Sequence, residues 1–162
     1  MLKLIESAEQ LPYGPIMNIY ESSNRMKGKQ NFPQLSDAEQ LLLAEQEFYG
    51  YLQDVLEKKL AILALWLAEG QAVAALRLEK YKDGLLLTGL ETAPAERRRG
   101  YASSLICAAV NRFPNCKIYS HIFSGNHASA TLHKKCGFQK IADVAELLDG
   151  STTHEAATYL HG

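Results

Sequence analysis

The amino-acid sequence predicts an α/β fold with a central sheet of about six or seven strands and about four flanking helices. Two patterns predict it: apolar runs of strand length bounded by turn residues, and longer segments whose apolar residues recur at helical spacing. Their order is strand, two helices, three strands, helix, strand, helix and two strands. With 162 residues, 47% of them apolar and 22% charged, the chain suits one domain, residues 1–162, around one core.

The start of the chain is predicted to form a strand and a helix, followed by a loop. Residues 1–5 alternate as in a first strand. Ser7, with Gln10 three residues later, is typical of a capping box and predicts a helix through Tyr20, although Pro12 and Pro15 leave its exact start open. Residues 21–34 are polar and rich in turn-forming residues, so we expect a loop between helices there.

A second capping box, formed by Ser36 and Glu39, predicts a long helix that extends to about Lys59. Beyond it the apolar pattern shortens to runs of strand length, which begin with a hairpin. Two further helices are predicted, one after Gly100 and one after Asn126. The predicted strands of this part are residues 61–68, 73–81, 85–92, 117–123, 138–146 and 153–160.

A tight basic turn joins the strand at residues 85–92 to the next helix. It reads Arg97-Arg98-Arg99-Gly100-Tyr101-Ala102, in which a glycine and a small residue let the backbone approach a large group closely. A helix start leaves its first N–H groups unpaired and carries about half a positive charge, so an anion binds there without a dedicated side chain. Since three arginines add attraction, the turn predicts a phosphate site.

The turn resembles the Gln/Arg-x-x-Gly-x-Gly/Ala pyrophosphate loop of the Gcn5-related N-acetyltransferase (GNAT) superfamily, at Arg97, Gly100 and Ala102. Residues 126–138 resemble the second signature of that family, Asn-x-x-Ser/Ala followed by Leu-Tyr-x-Lys-x-Gly-Phe. They depart from it at His133, which stands where the tyrosine usually is. The resemblance implies a mixed, mostly antiparallel sheet whose strands at 85–92 and 117–123 part to form a cleft for an acyl-CoA thioester.

The resemblance also implies which residues bind acetyl-CoA as a co-substrate. They lie at the end of the strand, in the basic turn and at the helix that follows Asn126. Roles as a helix N-cap and as a solvated lysine explain Asn126 and Lys135 equally well. The residues are Leu90, Thr92, Arg97, Arg98, Arg99, Gly100, Tyr101, Ala102, Asn126 and Lys135.

The resemblance to this family further implies that the chain transfers an acyl group from acetyl-CoA to a primary amine by direct attack in a ternary complex. The sequence leaves the acceptor open, as a small molecule or a protein. The missing tyrosine supports an alternative, a non-catalytic module that binds or senses acyl-CoA.

Three residues are candidates for the proton transfers. His121, five residues before Asn126, stands where ribosomal-protein N-terminal acetyltransferases of the same family carry a glutamate that is proposed as general base, and neutral imidazole is a competent base at pH 7. A structural strand histidine is the alternative. Glu91 is the second candidate base, or else a carboxylate that balances the arginines. His133 is the candidate acid for the CoA thiolate, or a helix-surface histidine without a role.

Other classes of function are disfavoured by composition. A formal net charge of −1 and a short arginine cluster without further basic neighbours argue against nucleic-acid binding. Three cysteines without a C-x-x-C pair indicate a reducing compartment, and Cys107 is interpreted as a small apolar residue. No signal peptide or membrane span is recognisable, so we expect a cytoplasmic protein. We also expect a monomer or homodimer, and no metal site.

Overall fold

The structure, a computed structural model, describes residues Met1–Gly162 and contains the predicted mixed sheet. Seven strands lie in the order β1-β2-β3-β4-β5-β9-β6, and all neighbours are antiparallel except β4 and β5. β7 and β8 form a separate two-stranded sheet. The strands are β1 (Leu2–Ile5), β2 (Ala61–Ala68), β3 (Gln71–Tyr81), β4 (Gly84–Thr92), β5 (Lys117–Phe123), β6 (Gln139–Ala142), β7 (Ala145–Glu146), β8 (Thr152–Thr153) and β9 (Ala156–His161).

Five α-helices accompany the sheet, one more than the sequence predicts. None of them combines the length and the apolar character that crossing a bilayer requires. Short 3-10 turns lie at Ala8–Gln10 and Pro94–Glu96. The helices are α1 (Tyr13–Ile19), α2 (Glu21–Asn31), α3 (Asp37–Glu57), α4 (Tyr101–Arg112) and α5 (His127–Lys135).

The sheet buries both of its faces, which explains the continuous apolar runs in its central strands. Successive side chains of β2 point to opposite faces, so Leu63 and Leu65 pack with α1 and α3 while Ala64 joins the core under α4. Leu105 and Ile106 of α4 are fully buried in that second core. The helices therefore form two layers, and α4 and α5 belong to the same one.

The helix predicted from Ser7 is wrong in its first part. Ser7 makes no side-chain capping bond, and only a 3-10 turn follows it before α1 begins at Tyr13. Proline disfavours helical backbone in the residue before it, and Leu11 before Pro12 is extended, with a ψ angle of 115°. Pro12 thus delays the start of the helix by about one and a half turns.

The loop predicted at residues 21–34 is also wrong, because this segment forms α2. Its polar sequence does not show that α2 packs closely on α3 at Gly28. A Cβ atom on Gly28 would lie only 2.5 Å from the Gln40 carbonyl oxygen of α3. Asn24, on the same helix, is 1% exposed. Glu21 and Arg25 add an ion pair one turn apart, at 2.8 Å. Packing against α3 therefore stabilises a helix that local propensity does not favour.

The other elements follow the predictions more closely. The Ser36–Glu39 capping box is present, and α3 runs through Gly50 without a break. The strand predicted at residues 138–146 is divided into β6 and β7, and the last predicted strand into β8 and β9. Since β7 pairs only with β8, this hairpin leaves the main sheet.

Cysteine pairing differs from the expectation of a small apolar Cys107. The structure joins Cys107 of α4 to Cys136, the residue after α5, in a disulfide with 5.3 Å between the Cα atoms. Cys116 remains free. The two helices on this face of the sheet are thus covalently linked.

Candidate functional site

A cleft opens where the two parallel strands of the sheet stop pairing. β4 and β5 pair only from Gly84, opposite Lys117, to Leu87, opposite Ser120, although both strands continue beyond this point. The space between the separated ends is a cavity of about 510 Å³. It is lined by Leu86, Leu87, Thr88, Gly89, Leu90, Ser120, His121, Phe123, Asn126, Ala128, Ser129 and Leu132.

The β4 wall of the cleft is shaped by a bulge that sequence reasoning missed. The register between β3 and β4 shifts between Ala75 and Arg77, and Gly89 adopts a φ of +60°. The Tyr20 hydroxyl donates to the Gly89 carbonyl oxygen at 2.6 Å. The left-handed φ favours glycine at this position, and a Cβ atom here would also displace the Arg77 guanidinium. The bulge therefore depends on α1 and β3 as well as on β4.

Arg77 and Glu79 form a buried ion pair beneath this bulge. Arg77 Nε donates to Glu79 Oε1 at 2.9 Å, and the side chains are 14% and 7% exposed. The Tyr51 hydroxyl donates to the same carboxylate at 2.8 Å. Two residues of opposite charge, two positions apart and so on the same face of β3, are the sequence signal that could have marked this network.

The basic turn places a row of free backbone amides at the start of α4. Arg98 and Gly100 both adopt left-handed backbone, with φ of +68° and +82°. The backbone amides of residues 97–103 make no hydrogen bond within the protein. The first amide after them that does is that of Ser104, which donates to the Gly100 carbonyl oxygen. Gly100 is the N-cap and has no capping side chain. Unpaired amides at a helix start form an anion-binding concavity.

The three arginines of this turn have different environments. Arg97 is bound to the protein: its Nε donates to the Thr92 carbonyl oxygen at 3.2 Å, and its guanidinium also donates to Ser22 Oγ at 2.8 Å. Arg99 pairs with Glu96 at 3.0 Å. Arg98 is exposed and makes no ion pair or hydrogen bond. The turn thus contacts both β4 and α2, and one of its arginines is fully available to a ligand.

His121 lies in the wall of the cleft and is half-buried. Its ring meets the edge of Tyr81 at 5.5 Å between centroids. Burial lowers the pKa of His121, and the charge of Lys82 acts in the same direction, so the neutral imidazole predominates at pH 7. Its Nε2 atom is buried without a hydrogen-bond partner, which is rare for buried polar atoms.

His133 does not line the cleft, and it is not a surface residue. It is 2% exposed and packs with its ring against Phe138, 5.0 Å away. Its Nδ1 lies 2.8 Å from the Ser129 carbonyl oxygen, and its Nε2 lies 3.0 Å from Ser120 Oγ. Burial lowers the pKa of His133. His133 therefore reaches the cleft only through Ser120, a residue that sequence reasoning did not select.

Glu91 lies near the end of β4 and is partly buried. Burial raises the pKa of this carboxyl, while the charges of Arg97, Arg77 and Lys27 lower it in part. It does not belong to the residues that line the cleft beside His121. The structure thus separates the two candidate bases.

The remaining predicted residues divide between the cleft and its surroundings. Leu90 and Asn126 line the cleft, and Asn126 Oδ1 also caps α5 by accepting from the Ser129 amide at 3.1 Å. Thr92 is the last residue of β4, Tyr101 and Ala102 end the basic turn as the first two residues of α4, and Lys135 is exposed at the end of α5. The Tyr119 hydroxyl donates to Asp83 Oδ1 at 2.6 Å, next to the β3–β4 turn. No three His, Cys, Asp or Glu side chains converge on a possible metal position.

The parted mixed sheet and the open amides define a class of protein, the α/β domains with the acyl-CoA N-acyltransferase fold. A model of the acetyltransferase (GNAT) family matches residues 17–138. Because this match covers more than half of the sequence, the chain belongs to the GNAT acetyltransferase family. A comparison with curated proteins finds no match.

Solved structures of this family share the fold at low sequence identity. The PaiA N-acetyltransferase from Thermoplasma acidophilum, in complex with coenzyme A, is 11% identical over 99% of this chain and 98% of that one, with a TM-score of 0.62. A GNAT acetyltransferase from Bacillus cereus is 18% identical over 99% and 96%, with a TM-score of 0.61. An acetyltransferase from Streptococcus agalactiae is 14% identical over 98% and 96%, with a TM-score of 0.62.

Proposed function

We propose that this chain is an acetyl-CoA-dependent N-acetyltransferase that transfers the acyl group to a primary amine by direct attack in a ternary complex. The observation that carries the proposal is the row of unpaired amides at residues 97–103, which follow β4, one wall of the cleft, after a single 3-10 turn. The coenzyme A in the related Thermoplasma acidophilum structure supports the choice of ligand.

In this proposal the diphosphate of acetyl-CoA binds to the amides of the basic turn. Charge-assisted hydrogen bonds of this kind contribute about 1.5–3 kcal/mol each. Arg98 adds a charge that no protein group neutralises, whereas Arg97 holds the turn against Thr92 and α2. The pantetheine arm then extends into the cleft, along the unpaired edge of β4.

The acceptor amine must lose a proton before it attacks. Deprotonating a lysine-like amine of pKa about 10.4 at pH 7 costs about 4–5 kcal/mol. We assign this proton to His121, because the residue lines the cleft and burial keeps its imidazole neutral and able to accept. Glu91 is the alternative base, although it does not line the cleft.

The thioester oxygen gains negative charge as the amine attacks. Backbone N–H groups near the end of β4, at residues 90–92, are proposed to stabilise it, because β4 stops pairing with β5 at Leu87 and its edge is open towards the cleft beyond this point. The CoA thiolate leaves readily, since a thiol of pKa about 8.5 needs a proton donor less than an alkoxide does.

The test combines a binding and a turnover experiment. We expect isothermal titration calorimetry to show coenzyme A binding to the purified protein, and release of free thiol from acetyl-CoA when a panel of primary amines is added. Gly100→Glu, which places a carboxylate among the free amides, should abolish both. Absence of coenzyme A binding by the wild-type protein refutes the proposal.

One observation favours a second function, a non-catalytic acyl-CoA-binding module. The residue at the position of the family tyrosine, His133, is buried and does not reach the cleft itself. Binding of coenzyme A without thiol release from acetyl-CoA by any amine of a broad panel would favour this alternative.

A further inference from the structure

Ser120 is a buried polar residue at the point where the cleft begins. It is 3% exposed, it is the last residue of β5 that pairs with β4, and it lines the cavity. Its neighbours on the same face of β5, Ile118 and Ile122, are buried apolar residues. A hydroxyl group is therefore held at the closed end of the cleft, within an otherwise apolar row.

The hydrogen bonds of His133 fix the direction in which this hydroxyl points. A carbonyl oxygen only accepts, so the contact of 2.8 Å between His133 Nδ1 and the Ser129 carbonyl oxygen places the ring proton on Nδ1. In the neutral ring, Nε2 then carries the lone pair. Ser120 Oγ, 3.0 Å away, therefore donates its proton to Nε2.

This order of groups is a hydroxyl, an imidazole base and an acceptor that orients the base. The same order activates nucleophiles and moves protons in acyl-transfer enzymes. Packing of the His133 ring against Phe138 and its near-complete burial hold the imidazole in place. The free lone pairs of Ser120 Oγ are left for a group in the cleft.

We propose, resting on the proposed function, that Ser120 and His133 form a relay that carries a proton from the attacking nitrogen to the departing CoA sulfur. Ser120 is the catalytic residue, since it contacts the reacting atoms. His133 is a positioning residue and a temporary proton acceptor that acts only through Ser120.

The step balances in protons and electrons. After His121 has taken the first proton from the ammonium, the amine nitrogen bonds to the thioester carbon and carries one excess proton. That proton passes to Ser120 Oγ while the Ser120 hydroxyl proton passes to His133 Nε2. When the carbon–sulfur bond breaks, its electron pair stays on sulfur, and the relay returns the proton to this atom as CoA thiol.

The relay accounts for the departure of this chain from the family signature. A tyrosine at the position of His133 carries its own hydroxyl, whereas the histidine ring ends one hydrogen bond short of the cleft, and Ser120 supplies the hydroxyl instead. Neither residue alone completes the path.

The test measures the pKa of the thiol of bound coenzyme A, which requires no knowledge of the acceptor. The thiolate is followed by its ultraviolet absorbance as pH is raised, in the wild-type complex and in Ser120→Ala, Ser120→Thr and His133→Gln. The Ser120 hydroxyl donates its proton to His133, so its free lone pairs accept from the thiol S–H group and favour the protonated thiol. The thiol should therefore titrate about one pH unit lower in Ser120→Ala and His133→Gln, a tenfold change in its acidity. Ser120→Thr, which keeps the hydroxyl, should titrate as the wild type does.

Affinity and turnover complete the experiment. Calorimetry should give coenzyme A affinities of Ser120→Ala within about threefold of the wild type, while kcat with an amine found for the wild type falls about a hundredfold and KM for acetyl-CoA stays unchanged. Identical thiol titration in the wild type and in Ser120→Ala overturns the relay and leaves the proposed function intact. Failure of the wild type to bind coenzyme A overturns both.

Discussion

Gly100 is the residue whose substitution tests the phosphate site most directly. Its φ of +82° is left-handed, and a Cβ atom there would meet no protein atom within 4 Å. Gly100→Ala therefore introduces backbone strain without a steric clash. An L-residue in this conformation costs about 1–2 kcal/mol, which lowers the Tm of a domain of this size by about 2–8 °C.

The chain offers a matched control at Gly150. This glycine is equally exposed, has a φ of +83° and also has no atom within 4 Å of a Cβ position, but it lies in the β7–β8 hairpin. Gly150→Ala should lower Tm by the same amount. Thermal unfolding of the two variants by circular dichroism thus measures the strain that is common to both.

The two variants should differ in coenzyme A binding. If Gly100→Ala relieves its strain by turning the basic turn, one or two amides no longer point at the diphosphate, and each loss costs about 1.5–3 kcal/mol. Calorimetry should then show Kd raised by at least about tenfold for Gly100→Ala and unchanged for Gly150→Ala. Gly100→Asn separates two causes, since asparagine tolerates left-handed backbone but still adds a side chain next to the ligand. Unchanged affinity in both Gly100 variants would refute the assignment of this turn to phosphate.

Three further predictions concern stability and pH. Gly84→Ala should destabilise the protein by about 2 kcal/mol or more in urea unfolding, because the new Cβ atom would overlap the Lys117 carbonyl oxygen and separate β4 from β5. Gly50→Ala serves as the control. It lies within α3, where a Cβ atom would meet no other atom within 4 Å, and should stabilise the protein by about 0.5–1 kcal/mol. Since the pKa of His121 is lowered from 6.5, the acid limb of kcat/KM should lie below pH 6.5 and disappear in His121→Gln. The pKa of Glu91 is raised, so its ionisation opposes folding as pH rises, and Glu91→Gln should be more stable than the wild type at pH 7 but not below pH 4 in thermal unfolding.

Each of these has an outcome that would contradict its reasoning. If Gly84→Ala were as stable as the wild type, β4 and β5 would tolerate a wider separation at their paired end. An acid limb that survives in His121→Gln would move the base elsewhere, to Glu91 in the first place. A loss of stability in Glu91→Gln at pH 7 would show that the ionised carboxylate is stabilised by Arg97 and Arg77 more than burial disfavours it.

Local patterns in the sequence predicted most elements of the fold. The capping box at Ser36, the helix start at Gly100 and the N-cap at Asn126 are set by neighbouring residues, so they could be predicted without a structure. The helix α2 could not, because it depends on the close approach of Gly28 to α3 rather than on its own composition. The prediction that the first helix starts after Ser7 was wrong, because the effect of Pro12 on the backbone outweighed the capping signal of Ser7.

By itself the sequence determined the family, through the phosphate turn and the second signature, because a few short-range spacings carry both. It also singled out His121 and His133 as residues of interest. Only the tertiary structure decided what these residues contact. The burial of His133, its bond to Ser120 and the bulge built by Tyr20, Arg77 and Gly89 arise where distant segments meet, and side-chain periodicity within one segment contains no information on such meetings.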